Sequence, residues 1–217
     1  MSQTPPSASP PSPTSPPPGG RPGLMDNLGG VLDVMLGRAS GLSRMDLSAN
    51  GVIWSFAGLA IAGLIDLSAL SMLYENLLEA KRAEVGKITY MIGRLFIALV
   101  AYGASMFALY LLCRQPHEQA NFPTAIAVHN WASPIISLAF LPFLYVAVVR
   151  GGTSDLANLI SVFWIGLLIF IGIRLIRISL DLPIGKGAAF FVVTALITLI
   201  ISKGLESLFG LTHQVST

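Results

Sequence analysis

Five long apolar stretches alternate along the chain with short polar segments. A helix needs roughly 20 residues, at about 1.5 Å each, to cross the ~30 Å hydrocarbon core of a bilayer. The pattern therefore predicts about five transmembrane helices, at residues 53–73, 88–112, 124–149, 156–173 and 184–202. Residues 51–209 are expected to form one all-α membrane bundle, followed by a short tail at residues 210–217.

Prolines mark the boundaries and bends of the predicted crossings. Pro123 suits the first position of the third helix, where a missing backbone N–H leaves no hydrogen bond unmade. Pro134 and Pro142 fall inside that helix and predict kinks, so neighbouring helices must satisfy the freed carbonyls. A break at residues 181–183 separates the fourth crossing from the fifth.

The segment before the first crossing, residues 24–50, begins with apolar residues that recur at three- and four-residue intervals. Asp26, Asn27 and Asp33 lie off that stripe, which predicts a short amphipathic helix on the membrane surface. The stripe consists of Leu24, Leu28, Val31, Leu32, Met35 and Leu36.

Residues 1–23 are built almost wholly from Pro, Ser, Thr, Gly and Ala. They have no apolar surface to bury, and their prolines remove backbone donors. The segment is therefore predicted to be disordered, with polyproline II character. It also lacks the basic and apolar regions of a signal peptide.

The composition supports a membrane protein and excludes several other classes. Of the 217 residues, 53% are hydrophobic and 11% charged, and the mean hydropathy is +0.72. Soluble domains carry about 25% charged residues, so the lipid bilayer is the expected surroundings. A net charge of +2 gives no basis for nucleic-acid binding. A single cysteine, Cys113, and no paired ligand spacing predict neither a metal nor a cofactor.

Asp66 and Arg94 are ionisable residues inside the first and second crossings. These two helices are antiparallel neighbours, and both residues lie roughly 9–10 Å below the same membrane boundary. We therefore predict an Asp66–Arg94 ion pair, whose favoured role is to fix helix packing. A role in proton or ion movement is the alternative, because intramembrane charges often mark such pathways.

A second polar cluster, formed by His129, Asn130 and Trp131, lies early in the third crossing. Asn130 is expected to hydrogen-bond to a neighbouring helix, with Arg174 as the candidate partner. Arg174 and Arg177 are one helical turn apart at the end of the fourth crossing. His129 is expected to be solvated or hydrogen-bonded, with a pH-sensitive role as the alternative. Two tryptophans near predicted helix ends are expected to be interfacial anchors: Trp54 and Trp131.

Small residues in the first two crossings predict that these helices approach each other closely. They are Ser55, Gly58, Ala62 and Ala69 in the first crossing, with Gly103 and Ser105 in the second. No nucleophile elbow, paired catalytic carboxylates or dinucleotide fingerprint is present in the sequence. An enzyme is therefore not expected.

The order of features resembles the bacterial branch of the Yip-type (Rab-GTPase-interacting factor) five-helix membrane family. A helix begins with WSF, the run FPTAIAVHNWASP leads into a proline-containing helix, and the break SLDLPIGKGAA precedes the last one. Bacterial members carry xAYNWAS where this chain has residues 128–133, with His129 in place of tyrosine. Their break of the form LGVS stands here as residues 180–183, LDLP. The resemblance covers roughly residues 51–209 and implies a bundle without catalysis, located in the bacterial inner membrane.

Two functional hypotheses follow from the sequence. The first is a non-enzymatic scaffold or interaction factor, which binds a membrane-protein partner or forms a homo-oligomer. The second is a small transporter or channel subunit that uses Asp66 and Arg94. A membrane-embedded enzyme is the least favoured interpretation, because Asp66 and His129 are expected near opposite faces of the membrane.

Overall fold

A computed structural model describes residues 22–79, 85–149 and 155–211 of the chain. Within these ranges it is helical: α1 (Leu24–Met35), α2 (Ala49–Glu79), α3 (Lys87–Leu112), α4 (Pro116–Val149), α5 (Asp155–Ser179) and α6 (Ile184–Leu208). A 3-10 turn, Ala39–Arg44, lies between α1 and α2. Helices α2 to α6 are long and apolar enough to cross a membrane, which confirms the predicted all-α bundle of five spans. Nearly all of the two predicted tails, residues 1–21 and 212–217, lies outside the described residues.

The helices extend beyond the predicted crossings, and α4 does so most clearly. It begins at Pro116, so Pro123 lies inside the helix and its prediction as the first helical position is wrong. Helix α5 runs on to Ser179, so Arg174 and Arg177 belong to its last two turns. Hydropathy reports where the apolar run stops, whereas backbone hydrogen bonding continues into the polar region beyond it.

The predicted break between the last two crossings is present. Asp181 has a φ of 52°, in the left-handed region, and the N–H of Leu182 donates to the Arg177 carbonyl at 2.8 Å. Pro183 then takes an extended conformation immediately before α6. A residue in the left-handed conformation ends a helix, and a proline shortly after it prevents the helix from continuing. Helix α5 therefore ends here, and the chain reverses before α6.

The five long helices are arranged in a ring. In space, α2 packs on α4, α4 on α5, α5 on α6, α6 on α3, and α3 closes the ring against α2. The most extensive interface joins α2 to α4, although the predicted close pair was the first two crossings, α2 and α3. Helices two apart in the chain therefore make the closest contact in the bundle.

Gly58 allows α2 to pack closely against α4. A Cβ at this position would lie 2.6 Å from the backbone oxygen of Asn130, so only glycine permits the contact. Ser55 and Ala62, one turn away on either side, are also buried. The small-residue prediction thus holds for α2 but names the wrong partner helix. A Cβ at Gly103 of α3 would meet no other atom within 4 Å, so this glycine makes no close approach.

Helix α1 is present as predicted, and its apolar stripe is divided between a part buried against protein and an exposed part. Val31 and Met35 of the stripe, with Val34, pack against residues of α4 and α5, including Val128 and Leu175. Met25 is exposed, as is the other part of the stripe: Leu24, Leu32 and Leu36. The helix therefore contacts the bundle with one face and leaves a second apolar face open.

Ion pairs and an arginine hold the end of α1 in place. Asp33 accepts hydrogen bonds from Arg44 at 2.9 Å and Arg38 at 3.1 Å. These bonds, with that from Arg44 the larger contribution, lower the pKa of Asp33 from its usual value. Arg174 of α5 donates to the Met35 carbonyl at 3.2 Å, while its guanidinium lies 3.9 Å from the centre of the Phe170 ring. The positively charged guanidinium of Arg174 thus lies beside the C-terminal carbonyls of α1, where the helix dipole favours a cation.

Replacing Gly58 by alanine is expected to destabilise the bundle by about 1–3 kcal/mol, the usual cost of overpacking a tight contact. The added methyl group would force α2 away from the Asn130 backbone. Gly103→Ala is the matched control, because its methyl group meets open space and alanine is the better helix former by about 1 kcal/mol. Thermal unfolding of the detergent-solubilised protein measures both. Equal melting temperatures for the two variants would contradict the proposed α2–α4 contact.

Candidate functional site

A cleft of about 290 Å³ lies between α2, α3 and α4. Its polar groups come from Asp66, Tyr102, His129, Ser133 and Ser137. The remaining walls are apolar and consist of Leu59, Ala62, Gly63, Leu95, Ala98, Leu99 and Ile136. This polar strip within an apolar cleft is the main candidate site in the part of the chain that the structure describes.

Helical periodicity accounts for the composition of the cleft. The α2 residues that line it lie three or four positions apart, from Leu59 to Asp66, and so share one face. The same spacing places Leu95 and Tyr102 on one face of α3, and His129 and Ser137 on one face of α4. Each helix therefore contributes one stripe, and the three stripes meet.

The predicted Asp66–Arg94 ion pair is not formed. Arg94 instead makes an ion pair with Glu206 of α6, and Glu206 also accepts from Lys203 at 2.9 Å. Helix α3 directs Arg94 towards α6, whereas the next residue, Leu95, faces Gly63 of α2. Among the described residues, Asp66 has no ion-pair partner. Sequence reasoning missed Glu206 because it ended the last crossing at residue 202.

Asn130 joins three helices through a chain of hydrogen bonds. The Tyr102 hydroxyl donates to its Oδ1 at 2.5 Å, and its Nδ2 donates to Ser55 Oγ at 2.8 Å. The Ser55 hydroxyl in turn donates to the Val52 carbonyl at 2.6 Å. The predicted hydrogen bond to a neighbouring helix is confirmed, but Arg174 is not its partner. Because Asn130 and Ser55 are fully buried, this chain ties α2, α3 and α4 together beside the cleft.

His129 and Asp66 both line this cleft. The His129 ring is 5.6 Å from the Tyr102 ring, centre to centre. Ser137, which also lines the cleft, is two helical turns along α4 from His129, or roughly 12 Å. His129 and Asp66 therefore share a cleft that extends along the helix axes.

The two tryptophans predicted as anchors differ in their surroundings. Trp54 is 64% exposed on α2, as an interfacial anchor requires. Trp131 is buried, with 5% of its surface exposed, and packs in the core between α1 and α4. The anchor prediction is therefore wrong for Trp131, because α1 covers the face that sequence alone would leave towards lipid.

Glu118 is a second buried carboxylate that sequence reasoning missed. It is fully buried and forms an ion pair with Lys186 of α6. It also accepts the backbone N–H groups of Arg114 and Gln115, at 3.1 and 3.2 Å, which cap the start of α4. The signal that could have found it is an acidic residue in the first turn after Pro116, where carboxylates cap helices. Its position ties the α3–α4 turn to the first turn of α6.

The interior charges of the bundle thus fall into two groups. Arg94, Glu206, Glu118 and Lys186 are used in ion pairs between helices. Asp66, Arg174 and Arg177 form no ion pair among the described residues, and of these three Asp66 lines the cleft with hydroxyl, phenol and imidazole groups. Within the described ranges, no three His, Cys, Asp or Glu residues come together as metal ligands. The cleft offers a negative charge and hydrogen-bonding groups to whatever enters it.

Breaking the Arg94–Glu206 pair is expected to be costly, because it leaves a buried charge without its partner. We expect Glu206→Gln to lower the unfolding free energy by about 3–5 kcal/mol. The double variant Arg94→Met/Glu206→Met removes both charges and should lose less. Denaturant unfolding in detergent gives the coupling energy, and Lys87→Met, which breaks the exposed pair with Glu75, is the control. Additive losses in the double variant would show that the two residues are not coupled.

Cys113, just beyond the end of α3, should react slowly with alkylating reagents in the folded protein. Burial, with a smaller contribution from Glu118, raises the pKa of its thiol from 9.0 to about 11. At pH 8 the reactive thiolate is therefore rarer by on the order of 100-fold than in the unfolded chain. Mass spectrometry after timed maleimide treatment, with and without denaturant, measures the ratio. Equal rates in both conditions would contradict the buried position of Cys113.

Comparisons of the chain with protein-family models, with curated proteins and with solved structures find no match. The resemblance to the Yip-type family therefore stays a prediction. What the fold and the five apolar spans do establish is that the chain is a multi-pass integral membrane protein.

Proposed function

We propose that this protein is a non-enzymatic membrane interaction factor that binds a transmembrane segment of another protein in the α2–α3–α4 cleft. The observation that carries the proposal is the position of Asp66, a carboxylate within a membrane-spanning helix that no cation of the described residues neutralises. Asp66 is then the recognition charge, and the partner segment supplies the missing cation.

The energetics of a membrane charge support this role for Asp66. An unpaired aspartate near the middle of a membrane helix costs about 2.5–3.5 kcal/mol on insertion scales. The same bundle neutralises Arg94 with Glu206 and Glu118 with Lys186, so ion pairing is its usual solution. A lysine or arginine on a partner helix would give Asp66 the counter-charge that the described part of the chain does not supply.

The shape and the lining of the cleft also suit a helix. Ala62, Gly63 and Ala98 are small, which permits close approach of another backbone. Ser133 and Ser137 provide hydroxyl groups that can hydrogen-bond across a helix interface. The proposal agrees with what the Yip-type resemblance implies, namely a helical bundle without catalysis and, for a bacterial member, a place in the inner membrane.

A transporter or channel subunit is the rival, and one observation favours it. Asp66, Tyr102 and His129 line the same cleft, so three groups able to hold or pass a proton face one space, and the rings of Tyr102 and His129 are 5.6 Å apart. Arg94 has no part in this transport mechanism, because its charge is already paired with that of Glu206. The rival therefore depends on Asp66 alone as its charged residue.

A pair of synthetic transmembrane helices tests the proposal. The purified protein in liposomes is labelled with a donor fluorophore and titrated with an acceptor-labelled leucine–alanine helix that carries either one central lysine or a leucine there. We expect the lysine helix to bind at least ten times more tightly, because only it can neutralise Asp66. Asp66→Asn should abolish that preference, while the control Glu75→Gln, at an exposed position of the same helix, should retain it.

The two functions give different outcomes in the same liposomes. Equal binding of the lysine and leucine helices would overturn the interaction proposal. Saturable proton or cation flux by the protein alone, lost in Asp66→Asn without loss of folding, would establish the transporter instead.

A further inference from the structure

A second pocket, of about 200 Å³, lies on another part of the molecule, where α1, the start of α2 and the middle of α4 meet. Its walls include Asn27 of α1, Asp46 and Gly51 at the start of α2, and the indole rings of Trp54 and Trp131. No residue of this pocket belongs to the cleft around Asp66.

The pocket is held in shape by specific contacts. Asn27, which is 5% exposed, accepts the backbone N–H of Asp46 at 3.0 Å and donates to the Gly23 carbonyl at 2.9 Å. Asp46 Oδ1 in turn accepts both the N–H and the hydroxyl of Ser48, at 3.1 and 2.6 Å. A Cβ at Gly51 would clash with the Asp46 carbonyl oxygen, so glycine is required where this segment presses on α2. The pocket is therefore built before any ligand arrives.

The groups around the pocket suit an ammonium group. Two tryptophans beside a carboxylate attract such a cation, through the indole rings and through the negative charge. The indole N–H of Trp131 is buried, so a ligand in the pocket does not reach that atom. Asp46 and the two indole rings therefore carry the recognition.

We propose that this pocket binds the headgroup of a zwitterionic phospholipid through its ammonium group, which lies at Asp46 and the tryptophans. The pocket volume of about 200 Å³ corresponds to roughly seven water molecules at ~30 Å³ each, which is room for one compact headgroup. The site lies at the start of the α2 span, and the exposed Trp54 places it at the depth where tryptophans meet lipid headgroups. The nearby Arg44 is already paired with Asp33, so it does not compete for Asp46.

This inference is independent of the partner-binding function, since it involves neither Asp66 nor the cleft that Asp66 lines. The protein could bind a lipid at this pocket whether its cleft takes a partner helix or conducts ions.

A titration with soluble short-chain lipids tests the site. The full chain in detergent micelles is titrated with dihexanoyl phosphatidylethanolamine, and tryptophan fluorescence is followed. Dihexanoyl phosphatidylglycerol has the same chains and the same phosphate but no ammonium, so it is the matched control ligand. We expect a saturable change with the ethanolamine lipid and at least tenfold weaker binding of the glycerol lipid.

Three variants assign the signal to the pocket. Asp46→Asn retains the oxygen that accepts from Ser48 but removes the charge, so it should fold and bind the ethanolamine lipid at least tenfold more weakly. Trp54→Leu removes an aromatic wall at an exposed position, where folding does not depend on it, and should weaken binding similarly. Trp164→Phe, a change in the α4–α5 interface, should leave the titration midpoint unchanged. Equal responses to both lipids, or an unaltered midpoint in both Asp46→Asn and Trp54→Leu, would overturn the proposal.

Discussion

The bilayer interior leaves a buried charge no water to bind, and the structure is arranged around that constraint. Arg94 and Glu206 join α3 to α6, while Glu118 and Lys186 join the start of α4 to the start of α6. Each pair lies near one end of the bundle, so α6 is held to the rest of the ring at both of its ends. Without these pairs, two largely buried carboxylates, Glu206 and Glu118, would lose their counter-charges.

Glycine and asparagine then set the closest interface. Gly58 allows the backbone of α4 to approach, and Asn130 uses that proximity to reach Ser55. The Tyr102 hydroxyl extends the same network to α3. Helix α3 also contacts α4 near their connecting turn, where the rings of Tyr110 and Phe122 are 5.3 Å apart. The cleft around Asp66 lies on the other side of the Tyr102–Asn130 hydrogen bond, farther from that turn.

The sequence predicted the number and type of the helices because hydropathy depends on local composition. It identified Asp66, His129 and Asn130 as polar residues within the spans, but it assigned two of their partners wrongly. Arg94 was paired with the adjacent helix, since sequence order favours neighbours, whereas its partner Glu206 lies 112 residues away. Glu118 and Glu206 were missed because each lies where the apolar run fades and the helix does not. The burial of Trp131 could not be foreseen either, because it depends on the docking of α1 onto α4.

The long reach of the Arg94–Glu206 pair has a consequence for biogenesis. Membrane helices are inserted in the order of their synthesis, and α3 enters the bilayer well before α6 has been made. During that interval Arg94 lacks its counter-charge. The contacts of Ser55 and Gly58 in α2 with Asn130 likewise form only after α4 has been made. The bundle can therefore reach its final packing only after the last helix has been translated. Until then the nascent chain depends on the insertion machinery, on water or on lipid headgroups to shelter that arginine.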